Sequence, residues 1–182
     1  ELERQIKKPG LQKQNAKAVK IALLSSFTIK GLKEALFVKC CEIGVIPEIY
    51  VGGYNQYSQE ILDPKSGLYR FGPDLAVIFI DTITILGDSY LLPYQVSNEQ
   101  RKLWVNEKLS DIKSLTQKIK ENSSAKILLH NFEIPLHSPL GILENKQEFG
   151  FIESIEKINA GLRDAFKSDS GVYILDYDSF CS

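Results

Sequence analysis

Five groups of residues suited to chemistry close short apolar runs in this chain: Ser25-Ser26, Gly52-Gly53, Asp81, His130-Asn131 and Asp176. A serine hydroxyl attacks an acyl or phosphoryl centre only when a base takes its proton, and the chain has two histidines, His130 and His137. Ser26 is the candidate nucleophile and His130 the candidate base. Gly53, with Gly52 before it, and Asn131 would supply the donors of an oxyanion-type site, and Ser25, Asn55 and Asp176 complete the candidate substrate-binding set. A plainer reading stands beside this one. Ser25 and Ser26 also offer cap oxygens to the next helix, and glycines in a strand-to-helix turn need no ligand.

Two further motifs invite comparison with known chemistry. Gly87-Asp88-Ser89-Tyr90-Leu91 has the residues of a Gly-Asp-Ser nucleophile block, but it follows the third apolar run rather than the first, inside a Gly/Pro-bounded stretch. It reads as a turn. Leu175-Asp176-Tyr177-Asp178-Ser179 has the Asp-x-Asp spacing of haloacid-dehalogenase-like phosphatases, yet Phe180 stands where their threonine belongs. It reads as the end of a strand.

The elements that must position these groups follow from the apolar runs. Residues 19–24, 48–51, 74–80, 125–129 and 171–175 are short and continuous, as strands buried on both faces are. Between them, Leu32, Ala35, Leu36, Cys40 and Ile43 recur at helical spacing over residues 29–43, with Gly44 as a stop. Residues 54–62 suit a short helix. Leu103, Trp104, Leu109, Ile112, Leu115 and Ile119 form the stripe of a long one over 97–121, and 146–167 form another. Alternating strands and helices predict an α/β, three-layer fold: a five-stranded parallel sheet covered on both faces, in flavodoxin-like order. Ligands of such sheets bind beyond the carboxyl ends of the strands, which is where the five groups stand. Residues 1–18 read as a polar arm and 19–182 as the domain.

With 182 residues, 43% hydrophobic and 25% charged, the chain is long enough for one globular core. A net charge of −1 lacks the positive excess of a general nucleic-acid binder. No apolar run approaches the ~18 residues of a membrane span, and no signal-peptide layout opens the chain. Three cysteines, two of them adjacent, provide neither a disulfide framework nor metal spacing, so a reduced, cytoplasmic setting is expected. The absence of any methionine predicts a fragment of something longer. Charge is uneven: residues 1–39 hold nine Lys/Arg against three Asp/Glu, and residues 40–182 hold 13 against 20. That basic stretch is either a solvated helix or a docking face for an acidic partner.

Several blocks carry a resemblance. Residues 21–28 (Ile-Ala-Leu-Leu-Ser-Ser-Phe-Thr), Tyr54-Asn55-Gln56-Tyr57, the stretch from Ile61-Leu62-Asp63-Pro64 to Ser66-Gly67-Leu68-Tyr69, Pro73-Asp74, His130-Asn131-Phe132-Glu133 and residues 159–166 resemble the N-terminal domain of FkbH-like proteins. The resemblance implies an SGNH-hydrolase-like fold preceding a haloacid-dehalogenase-like phosphatase domain, with magnesium and the phosphatase aspartates in that downstream domain and no cofactor in this chain. It further implies a parent protein that takes a phosphorylated three-carbon acid and places a glyceryl unit on the phosphopantetheine thiol of an acyl carrier protein in polyketide-type pathways. Against the SGNH blocks, Ser25-Ser26-Phe27 stands where Gly-Asp-Ser is expected, Gly53 resembles the second block's glycine and Asn131 the third block's asparagine. No Asp-x-x-His is visible after Asp176.

These observations predict an accessory domain that binds substrate or carrier protein. The rival readings are a free-standing SGNH-type serine esterase or acyltransferase and a non-catalytic scaffold that docks the phosphatase domain. Convergence of Ser26, Gly53 and Asn131 on one cleft is expected. So is a partner-binding role for Lys30 and Lys33, which open the first helix beside that cleft.

Overall fold

The computed structural model describes residues 17–87, 90 and 92–181. Most of the polar arm, and Asp88, Ser89 and Leu91 of the Gly87–Leu91 turn, lie outside the described residues. Strands β1 (Lys17–Ser25), β2 (Val45–Val51), β3 (Leu75–Phe79), β4 (Lys126–His130) and β5 (Val172–Leu175) pair in the order β2-β1-β3-β4-β5, each pair parallel. This is the expected flavodoxin-like sheet. β1 begins at Lys17, so the arm ends two residues earlier than the polarity of the segment suggested.

Helices α1 (Leu32–Glu42), α2 (Tyr57–Leu62), α3 (Gly67–Phe71), α4 (Thr82–Leu86), α5 (Asn98–Asn122), α6 (Phe151–Phe166) and α7 (Tyr177–Cys181) follow, with 3₁₀ turns at Pro93–Gln95 and Gly141–Lys146. The step from β1 to β2 runs one way across the sheet, and every later crossover runs the other. Right-handed connections therefore put α1 on one face and α2, α3, α5 and α6 on the opposite one. Burial follows the same division. Ala22, Leu24, Ala76, Ile78, Ile127, Leu129 and Val172 face the crowded side and are 0–4% exposed, in one core with Ile61, Leu68, Ile112, Ile158 and Leu162. Each Val, Leu or Ile among them contributes about 1.5–3 kcal/mol on burial, and each alanine less. On the α1 side, Ile21 and Leu23 are buried, but Tyr173 and Leu175 are 54% and 50% exposed.

Two helices differ from the pattern the sequence suggested. α1 has no buried residue: Leu32, Ala35 and Ile43 face solvent, and only Leu36, Phe37, Val38, Cys40 and Cys41 are half-covered. Alternation of apolar and charged residues there leaves no clean stripe, although the helix does stop where expected, with Gly44 at φ 77°. In α5 the inward stripe is Arg101, Val105, Ile112, Thr116 and Ile119, while Leu103 is 71% exposed. Ser97 and Gln100 cap its start reciprocally. No helix among the described residues is long and apolar enough to cross a membrane.

Candidate functional site

Because β1 lies between β2 and β3, the neighbours of Ser26 are the Gly52-Gly53 turn and Asp81. Ser26 is 3% exposed. Its hydroxyl donates to Asp81 Oδ2 at 2.5 Å and accepts the Asp81 backbone N–H at 2.9 Å, while its own N–H donates to the Phe79 carbonyl. The Asp81 carboxylate also accepts from Thr84 Oγ1 at 2.6 Å and the Thr84 N–H at 2.8 Å, capping α4. Burial pushes the Asp81 carboxyl upward, but the hydrogen bonds from Ser26 and Thr84 outweigh it and hold the carboxyl below its ordinary value of 3.8. A carboxylate so stabilised is a poor base for an alcohol. Ser26 is thus spent on both sides, proton and lone pair. Sequence reasoning placed Asp81 at a strand end without giving it a role; the signal was the Asp-x-x-Thr cap spacing together with the strand order.

His130 is 5% exposed and ringed by Phe79, Tyr177 and Phe132, with centroids 4.4, 5.2 and 5.5 Å away. The Ile80 N–H donates to Nε2 at 3.1 Å, so that nitrogen is an acceptor, and Nδ1–H donates to the Asn131 carbonyl at 2.6 Å. Both nitrogens serve the backbone, and neither faces the Ser26 hydroxyl as a base. Burial holds the imidazole below its ordinary value of 6.5, opposed by the Asp81 charge.

Asn131 ends β4, so the width of β3 separates it from Ser26, roughly 10 Å at ~4.8 Å per strand. Its Nδ2 donates to Asp176 Oδ1 at 2.7 Å and its Oδ1 accepts the Asp178 N–H at 2.9 Å. Asp178 Oδ1 accepts the Ile134 N–H at 2.7 Å. Ser179, which stands where an Asp-x-x-His block would have its histidine, donates to Asp176 Oδ2 at 2.7 Å. The loops after β4 and β5 are thereby latched to one another. Among the described residues no group of three or more His, Cys, Asp or Glu side chains is gathered to hold a metal. Asp176-x-Asp178 does not fit a phosphatase magnesium site, since these carboxylates accept from the local N–H and O–H donors.

Asn159 of α6 secures the same region, accepting the Phe132 N–H and donating to the Phe132 carbonyl, both at 2.8 Å. Asn159→Ala leaves two buried backbone groups unpaired, and a loss of about 2–4 kcal/mol is expected from chemical denaturation.

The remaining candidates have structural placements of their own. Ser25 donates to the Phe27 carbonyl at 2.7 Å. The N–H of Gly52 pairs with the Leu23 carbonyl, and the Gly53 carbonyl accepts from Gln56. Asn55 has φ 52°, a left-handed turn position that asparagine tolerates better than other side chains. Lys30 and Lys33 are exposed at the start of α1. The structure therefore brings Ser26, Gly53 and Asp81 to adjacent strand ends, and groups Asn131 with Asp176 instead.

The model of the family described as FkbH, N-terminal domain, matches residues 20–181. No curated protein matches the chain. Among solved structures it is similar to the N-terminal part of the protein BF1531 from Bacteroides fragilis, containing a phosphatase domain complexed with Mg. The TM-score is 0.78 at 22% identity, over 99% of this chain and 45% of that one. It is also similar to the lipase Lip_vut3 from a goat rumen metagenome, with a TM-score of 0.62 at 13% identity over 88% of this chain and 81% of that chain. An acetyl xylan esterase, AlAXEase, gives 0.54 at 13% identity over 89% and 79%. These likenesses give the fold, that of SGNH-type hydrolases. The chain spans less than half the length of the Bacteroides fragilis chain.

Proposed function

The chain belongs to the family of FkbH N-terminal domains, and from that premise we propose that it is a non-hydrolytic accessory domain of a longer FkbH-like protein. In this reading the parent moves a glyceryl unit from a phosphorylated three-carbon acid to the thiol of an acyl carrier protein, and this domain docks the carrier. The phosphatase chemistry and its magnesium belong to the downstream domain of the parent. The observation that carries the reading is the closed ring of Ser26, Asp81 and Thr84. An SGNH-like fold places a serine at the end of its first strand but uses it as a structural donor, and His130, engaged with the backbone through both ring nitrogens, does not activate it. Free cysteines at 40, 41 and 181 suit the reducing cytoplasm in which such a parent would act.

Docking is assigned to the exposed Lys30 and Lys33, since acyl carrier proteins are acidic and complementary charge mainly raises the association rate. Titration of the cognate carrier should show binding that weakens as salt rises from 0.05 to 0.3 M, because surface charges are screened within ~10 Å at 0.1 M. A Lys30→Glu/Lys33→Glu double variant should bind roughly tenfold more weakly. Equal affinities with no salt dependence would reject the docking face. Turnover of a chromogenic ester that disappears in Ser26→Ala would reject the non-hydrolytic reading.

A further inference from the structure

The ring of His130 fits its place at the rim of the sheet only in the neutral form. Nε2 accepts the Ile80 N–H at 3.1 Å, while Nδ1–H donates to the Asn131 carbonyl at 2.6 Å. A proton on Nε2 turns two donors toward each other at that distance, so the charged ring has to move. Three aromatic rings hem it in. Phe79 belongs to β3, which is paired on both sides, and Phe132 is tied to α6 through both amide atoms of Asn159. Tyr177, 5.2 Å away, belongs to α7, whose five residues are all partly or fully exposed. Of the three, Tyr177 is the one that gives way. The bonds that hold α7 down pass through the residue next to His130: Asn131 donates to Asp176 and accepts the Asp178 N–H, and Asp178 accepts the Ile134 N–H.

We infer that His130 is the trigger of a pH-sensitive latch: protonation of its ring drives Tyr177 outward and lifts α7 from the carboxyl ends of β3 and β4. The groups facing the ring set the direction. Asp81, at the end of β3, is the charge that favours the protonated form. Tyr177, from α7, stays neutral, its hydroxyl pushed up to about 12 by its hydrogen bond with Cys181, by burial and by the charge of Glu133. From α5 and α6, Ile112, Leu115 and Leu162 line the cavity beside His130 and bring no charge. Asp176 and Asp178 are engaged with Asn131, Ser179 and Ile134. Burial in this setting outweighs Asp81, so the closed latch favours the neutral ring, and the open one takes up the proton at the ordinary value of 6.5. The latch is therefore shut above that pH and loosens as the pH falls below it. Its opening bares the rim beyond β3, β4 and β5, the side on which parallel sheets receive ligands.

Two measurements on the 182-residue chain test the latch. In a His137→Gln background one histidine remains, and its ring protons report its titration by NMR. Coupling is reciprocal, so Tyr177→Ala, which removes the ring from the partly exposed α7, should raise the His130 midpoint by about half a pH unit or more. An unchanged midpoint in the folded variant overturns the inference. Hydrogen exchange supplies the second readout, and it decides alone if thermal melting shows that Tyr177→Ala does not fold. The amides of Ile134 and Asp178, both donors in the latch, should lose roughly fivefold to tenfold in protection between about pH 7.5 and 5.5. That loss should be insensitive to low concentrations of urea, the mark of a local opening, and absent in His130→Gln. An equal loss in His130→Gln places the trigger elsewhere and overturns the inference. A urea-dependent loss shared with the amides of β1 overturns it in favour of global unfolding.

Discussion

Asp81→Ala is expected to lose about 2–4 kcal/mol of stability and to loosen the carboxyl end of β3. The carboxylate accepts the Ser26 hydroxyl, the Thr84 hydroxyl and the Thr84 N–H. Alanine deletes a helix cap worth about 1 kcal/mol and leaves the nearly buried Ser26 hydroxyl without an acceptor, at about 1–3 kcal/mol. Asp81→Asn keeps a carbonyl for the Thr84 N–H, so roughly half of the loss should return. Denaturant midpoints of the three proteins measure this. Equal stability of Asp81→Ala and wild type would show that the ring around Ser26 does not hold the strand end. Because the folded carboxyl sits below the unfolded value of 3.8, its contribution is fully present above that value and fades as the pH falls below it.

His130 should dominate the pH dependence at milder acidity. The folded protein favours the neutral ring, since protonation would put a charge in an apolar cage and turn Nε2 from an acceptor into a donor facing the Ile80 N–H. The groups nearest it, Asp81 at the end of β3 and Tyr177 on α7, leave the net direction downward from 6.5. The unfolded state therefore binds the extra proton first. Stability is fully present above pH 6.5 and declines as the pH falls below it, by no more than about 1.4 kcal/mol per pH unit for one proton. His130→Gln, whose carboxamide oxygen can still accept the Ile80 N–H, should be about 1–3 kcal/mol less stable at pH 7.5 but flatter between pH 6.5 and 5. Denaturation midpoints across that range give the comparison. An unchanged slope in the variant would place the titration elsewhere.

The five strands were legible because parallel strands covered by helices must be continuous apolar runs, as residues 74–80 are, and because residues 125–129 lie between two long amphipathic helices. Helices α3, α4 and α7 were not legible, because five residues carry little more than one turn of periodicity. The site was half legible. Ser26 and Gly53 sit where the strand order puts them, but Asn131 was matched to a hydrolase block by residue type. Strand order places it one strand too far and leaves Asp81 as the true neighbour of Ser26. His130 looked like a base because its chemistry permits it. Only the backbone partners of both nitrogens show that it is a wedge.

The two rims of the sheet carry unequal risk of edge-to-edge growth. β2, at one rim, contains Pro47, which removes a backbone donor, and the exposed Glu48, whose charge repels a second strand. β5, at the other rim, is only four residues long and bears Tyr173 and Leu175 without a charge or a proline. Among the described residues, its brevity is the one defence it has. At high concentration, this domain should associate through β5 and not through β2, and a single lysine at position 173 would blunt that edge as Pro47 and Glu48 blunt the other.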